Sequence, residues 1–129
     1  MNALPLKENL KKYTDIAHCP VRNVLSHISG KWPILILCIL SENERTRFNA
    51  ISKAIPDISS KVLSDTLKNL EADGLVERHL YAEIPPRVEY ALTDLGKSLM
   101  PILGELIGWA LLNFDRFKQS GIAIRNPLK

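Results

Sequence analysis

Ser60, Lys61, Ser64, Asp65 and Lys68 fall within nine residues of one another between Ser59 and Gly74. With Ser60 as the origin of a helical wheel and about 100° per residue, Val62, Leu63, Leu67 and Leu70 centre near about 290°. The opposite face, about 110°, holds Lys61, Ser64, Asp65 and Lys68. Hydroxyls, a carboxylate and ammonium groups on one helix face form and accept hydrogen bonds and neutralise anions; they do not make or break covalent bonds by themselves. The plainer reading of the same face is ordinary solvation. Arg87, beside the stiff Pro85-Pro86 pair, offers a second cation, either for a sugar-phosphate backbone or minor groove or for a surface pair with Glu77 or Glu83. Lys31, Arg45, Arg47 and Lys53 add positive charge from earlier in the chain.

The other chemistry-bearing residues do not assemble an enzyme. His18, His27 and His79 are scattered, and Cys19 with Cys38 lacks the paired spacing of a zinc site. Gly74, Gly96 and Gly104 stand alone and do not form a phosphate loop. No metal or cofactor is expected. Cys38 lies in an apolar segment and reads as a small buried hydrophobe. Cys19 precedes Pro20 at a helix start, where the helix dipole favours a thiolate and His18 adds to that when protonated; it is the redox-sensing candidate, the alternative being a mere helix-start residue.

These side chains must be placed by a small fold. The chain has 129 residues, 46% hydrophobic and 24% charged, enough for one domain with its own core, expected to span 1–129. Two cysteines do not make a secreted disulfide framework, and Met1 to Leu10 has no apolar signal core, so a cytoplasmic protein is expected. The longest apolar run, nine residues from Trp32 to Leu40, is too short for a membrane span.

Residues 1–18, with Leu6, Leu10, Tyr13 and Ile16, read as an N-terminal arm helix. Pro20 opens a helix that Gly30 ends, and Pro33 opens an apolar helix to Leu40, for which a buried strand is the alternative. Thr46 is expected to cap a helix bearing Phe48, Ile51 and Ile55. Ser59 caps the next, Ser60 to Asp73, which Gly74 closes. Residues 46–73 thus form a helix-turn-helix. Residues 75–92 read as a wing hairpin, with strands from Leu75 to Tyr81 and Arg87 to Leu92. Thr93 caps a last helix over 93–118, with a kink or short break near Lys97 to Met100 caused by Pro101. Its apolar stripe is too wide for one contact surface, so Leu99, Ile102, Leu103, Leu106, Trp109 and Phe114 are assigned to an interface with a second copy.

Several motifs occur in one order: Cys19-Pro20, Gly30-Lys31-Trp32, Arg47-Phe48, Ile58-Ser59, Asp73-Gly74-Leu75-Val76, Pro85-Pro86-Arg87-Val88-Glu89-Tyr90 and Leu92-Thr93-Asp94-Leu95-Gly96. The chain resembles the HxlR-type winged helix-turn-helix regulators of bacteria, relatives of the MarR group, over roughly Cys19 to Trp109. It departs from them at Asn49, Ala50 and Ile51, and at Asp57, where glycine is usual and where a left-handed Asp is expected to preserve the turn. The resemblance implies a mainly α fold with a small antiparallel β-hairpin, N- and C-terminal dimerisation helices, and a homodimer on duplex DNA. It also implies that a cysteine at the position of Cys19 serves some members as a thiol switch. The expected DNA contacts are Ser59, Ser60, Lys61, Ser64, Asp65, Lys68, Arg47 and Arg87, on a pseudo-palindromic operator, most simply for repression. The alternatives are a winged-helix protein-interaction module without DNA binding, and a regulator with a small-molecule effector between the core helix and the last helix. From Ser59 to Leu92 four basic residues face six acidic ones, a net charge of minus two. Binding must then rest on the placement of a few cations.

Overall fold

The computed structural model describes residues 20–119. Cys19, the 1–18 arm and the tail from Ser120 lie outside the described residues. The order is α1 (Pro20–Ile28), α2 (Pro33–Leu40), β1 (Thr46–Arg47), α3 (Phe48–Ala54), α4 (Ser60–Ala72), β2 (Val76–Tyr81), β3 (Arg87–Leu92), α5 (Asp94–Leu112) and α6 (Phe114–Gln119).

The apolar segment after Pro33 is a helix. Proline at its first position costs no hydrogen bond, and Ile36, Leu37 and Leu40 are buried at the centre of the domain. Around them close Ile51 of α3, Leu63, Leu67 and Leu70 of α4, Val76, Tyr90 and Leu92 of the sheet, and Leu103 of α5. Cys38, in the same helix, is only half-buried. Burial, and secondarily the nearby Glu42 carboxylate, push its thiol above the ordinary value, which favours the protonated thiol over the nucleophilic thiolate.

The wing is not a lone hairpin. Thr46 and Arg47 form a third strand, and the antiparallel order is β1-β3-β2, with Thr46 opposite Tyr90 and Arg47 opposite Glu89. Thr46 is therefore buried in the sheet instead of capping α3, whose N-cap is Arg47 without a side-chain bond. Leu75 is not part of the wing strand; it is buried where the chain leaves Gly74. β2 and β3 pair from Val76 opposite Leu92 to Tyr81 opposite Arg87.

Between α3 and α4, Ile55 leaves the helix at φ −124°, ψ 84°, and the Ile58 N–H returns to the Ile55 carbonyl at 3.1 Å. No described residue other than glycine has positive φ, so Asp57 is not left-handed and no glycine is required there. Ser59 then accepts from the Val62 N–H at 3.1 Å, the expected N-cap. At the other end Gly74 takes φ 81°, and the Leu75 N–H reaches the Leu70 carbonyl at 3.0 Å, a left-handed glycine stop.

α5 is pinned at its start. Thr93 accepts from the Gly96 N–H at 3.1 Å and donates to the Gly74 carbonyl at 2.6 Å. A Cβ at Gly96 would run into the Leu75 carbonyl, so only glycine lets the helix sit so close to the end of α4. The helix runs through Pro101 as one element, so the short break expected near Lys97 to Met100 does not occur. It stops instead at Asn113, whose backbone N–H and Nδ2 both donate to the Trp109 carbonyl at 3.0 and 2.9 Å. The expected single helix over 93–118 is thus two helices.

Candidate nucleic-acid interface

α4 is held by its buried Leu63, Leu67 and Leu70, which turns Ser60, Lys61, Asp65 and Lys68 to solvent and leaves Ser64 half-buried. Lys61 Nζ lies 3.1 Å from Asp65 Oδ2, one turn away. These two side chains neutralise each other, so the first turns of α4 present hydroxyls and one internal ion pair. Lys68 carries the uncompensated positive charge of this face among the ion pairs identified.

Between α4 and the wing lies a cleft of about 810 Å³. Ser64 and Lys68 line it from α4, Arg47 and Asn49 from the β1–α3 edge, Arg78 from β2, and Ile84, Pro85 and Arg87 from the wing. Four of the eight residues assigned from sequence, Arg47, Ser64, Lys68 and Arg87, come together here from three separate elements. Ser59, Ser60, Lys61 and Asp65 belong to the first two turns of α4 and do not line the cleft. Arg78, not among those eight, is exposed and lines the same cleft, a placement legible only from the β2 register that sets it opposite Tyr90.

The wing cation is not free. Arg87 Nη2 lies 3.1 Å from Glu83 Oε2, and its Nε lies 3.3 Å from Glu89 Oε2. Its guanidinium stacks 4.2 Å from the centroid of Tyr81, whose hydroxyl accepts a hydrogen bond from Arg45. Glu89 also faces Arg47 Nε at 3.9 Å. Pairing with Glu83 was one of the sequence alternatives; pairing with Glu77 is not observed, and Glu77 sits 3.7 Å from His79 instead. The foremost wing residue, Ile84, is fully exposed.

The residues assigned to a self-interface divide along α5. Leu103 is 3% exposed and packs into the domain's own core, so it has no surface left for a second copy; Leu99 is partly buried against the same core. Ile102, Leu106, Trp109 and Phe114 are exposed, and Leu111 and Leu112 join them. Trp109 meets Phe117 of α6 edge to face at 5.5 Å. By length and composition α5 is apolar enough to cross a bilayer, yet Gly96 and Leu103 fasten it to the domain.

A three-stranded wing behind a helix-turn-helix whose second helix is capped, polar and exposed is a winged helix. The HxlR-like helix-turn-helix family matches residues 27–118. The chain belongs to that family. A helix-turn-helix-type transcriptional regulator of Methanothermobacter thermautotrophicus is 43% identical over 103 residues, covering 80% of this chain and 78% of the relative. The helix-turn-helix-type regulator YtfH of Escherichia coli K12 is 38% identical over 114 residues, 88% of this chain and 90% of the relative. Among solved structures, the redox regulator HypR in its reduced form superposes with a TM-score of 0.73 at 36% identity, covering 78% of this chain and 98% of HypR. This HxlR-like protein is thus a transcriptional regulator with a winged helix-turn-helix domain.

Proposed function

We propose that this HxlR-like regulator acts as a homodimer on a pseudo-palindromic duplex site, most simply repressing by occluding a promoter. The observation that carries this reading is the cleft that gathers Arg47, Ser64, Lys68 and Arg87 beside the exposed face of α4. In it the N-terminal half of α4 enters the major groove, with Ser59, Ser60, Lys61, Ser64 and Asp65 at base edges and Lys68 and Arg47 on phosphates. The Lys61–Asp65 pair must open or share its partners for either residue to read a base, which favours specific over bulk electrostatic binding. The exposed Ile102, Leu106, Trp109 and Phe114 join two copies.

Two regulatory inputs fit the same architecture. Cys19 directly precedes α1, and HypR, a structural neighbour of 36% identity, is a redox regulator; a thiol switch at Cys19 would act on the spacing of the two recognition helices. A cleft of about 640 Å³ between α2 and α5, lined by Cys38, Leu40, Met100 and Pro101, supports a small apolar effector in the space expected from sequence.

Recovery of genomic fragments bound by the protein in reducing and in oxidising buffer tests the reading. Enrichment of inverted-repeat sites supports it, and loss of that enrichment on oxidation in the wild type but not in Cys19→Ser assigns the switch. Equal responses of wild type and Cys19→Ser remove Cys19, and retained self-association with no duplex recovered points to a protein-interaction module.

A further inference from the structure

Building on the DNA-binding reading, we propose that Glu83 acts as an internal competitor for DNA phosphate at Arg87, so that the wing carboxylate, and not the arginine alone, sets how strongly this regulator holds duplex of arbitrary sequence.

Three features support this. First, Arg87 spreads its guanidinium over two different carboxylates, Nη2 to Glu83 at 3.1 Å and Nε to Glu89 at 3.3 Å. The Nε contact lacks hydrogen-bond alignment, so neither is the two-pronged fork that makes an arginine–carboxylate pair hard to displace. Second, the two carboxylates sit differently. Glu89 is 17% exposed, lies opposite Arg47 in the sheet and serves both arginines, so it belongs to the fabric of the wing. Glu83 is 49% exposed, and Arg87 is the one ion-pair partner identified for it. Arg87 itself is 27% exposed, so the pair opens to solvent on its Glu83 side, where an ion pair contributes little to folding and exchanges readily. Third, Glu83 and Arg87 bracket the wing tip and both line the cleft that Lys68 and Arg47 share, so a phosphate entering that cleft meets the carboxylate and the guanidinium together.

Consequently an approaching phosphate replaces one anion on Arg87 with another while being repelled by the carboxylate it displaces. On arbitrary duplex the exchange yields almost nothing. Where α4 is seated on matching base edges, the wing is held against the backbone long enough for the exchange to become intramolecular. Glu83 thereby lowers non-specific affinity at small cost to operator affinity, a discrimination made by weakening the wrong complex.

Anisotropy titrations of a labelled duplex of arbitrary sequence across a salt series, with wild type, Glu83→Gln, Arg87→Ala, the double variant and Lys68→Ala, test this. Glu83→Gln is expected to bind about two- to fivefold tighter, the scale of one exposed ion pair. Its salt slope is expected to steepen by about 0.9 as one more phosphate is neutralised. In the Arg87→Ala background the gain should vanish. An unchanged or weaker Glu83→Gln complex overturns the proposal, as does an equal gain without Arg87, which would mark a plain net-charge effect. If Glu83→Gln is silent while Lys68→Ala still weakens binding, the competitor role falls and the docking stands; if wild type binds no duplex, both fall.

Discussion

The two ends of α5 and the face of α4 meet solvent in opposite ways. At its start α5 is locked to the domain, with Thr93 bonded to Gly74 and Gly96 pressed on the Leu75 carbonyl, and Leu103 still reaches the core two turns later. Beyond it Leu106, Trp109, Leu112 and Phe114 stand at half to more than four-fifths of their full exposure among the described residues, with the α6 aromatic Phe117 set edge to face against Trp109. The face of α4 and the wing show the reverse: Val62, Leu80 and Ile84 are the large exposed apolar groups, set apart from one another, and the charges are mostly engaged with one another, Lys61 with Asp65, Arg87 with Glu83 and Glu89, Arg47 with Glu89. Among the described residues the first region leaves a wide apolar surface open, whereas the second, Lys68 apart, pairs most of its charges internally and gives up those contacts only to a ligand that replaces them. In the proposed function the first region joins two copies and the second binds duplex selectively.

The largest expected effect breaks the apolar end. The pair Leu106→Asp and Trp109→Asp should leave a folded monomer, seen by sedimentation velocity with an unchanged far-ultraviolet spectrum. It should also cost more than about 100-fold in operator affinity, because a second linked half-site contributes that much through effective concentration. Unaltered self-association would place the interface elsewhere. Next, Gly96→Ala probes the locked end: forcing a methyl into the Leu75 carbonyl should destabilise the domain by about 1–3 kcal/mol in a denaturant titration. An equally stable variant would mean that α5 can slide away from Gly74. Ser59→Ala removes the bond to the Val62 N–H and should cost about 1 kcal/mol by the same measurement. The smallest effect belongs to the charged face. Lys68→Ala should leave stability unchanged, weaken binding alike on all duplexes and flatten the salt slope by about one unit; a change confined to one sequence would make Lys68 a base reader instead.

Most of the helical frame was legible because its signals are local. Pro33, Ser59, Gly74 and Thr93 each act within one turn, and each marks the helix boundary expected of it. What escaped was set by contacts distant in sequence. Thr46-Arg47 is too short for any alternating pattern, and it becomes a strand only because Glu89 and Tyr90 lie beside it. Leu103 looked like the other leucines of its stripe; which of them faces the domain depends on where Gly96 lets the helix rest. The break at Asn113 comes from an asparagine side chain folding back on Trp109, a choice that helix propensity alone does not signal. At the candidate site, residue types were legible and pairings were not. Lys61 with Asp65 is a helical neighbour and could be read from spacing, whereas the meeting of Arg87, Glu89 and Arg47 requires the three-stranded register.

In the proposed complex two copies present two α4 helices to one face of a duplex. Hydroxyl-radical footprinting on a recovered genomic site distinguishes this from binding by a single copy. Two protected patches related by a dyad are expected, with centres about 34–36 Å apart, both lost together in the Leu106→Asp, Trp109→Asp pair. A single protected patch, or two that persist in that monomeric variant, would contradict it.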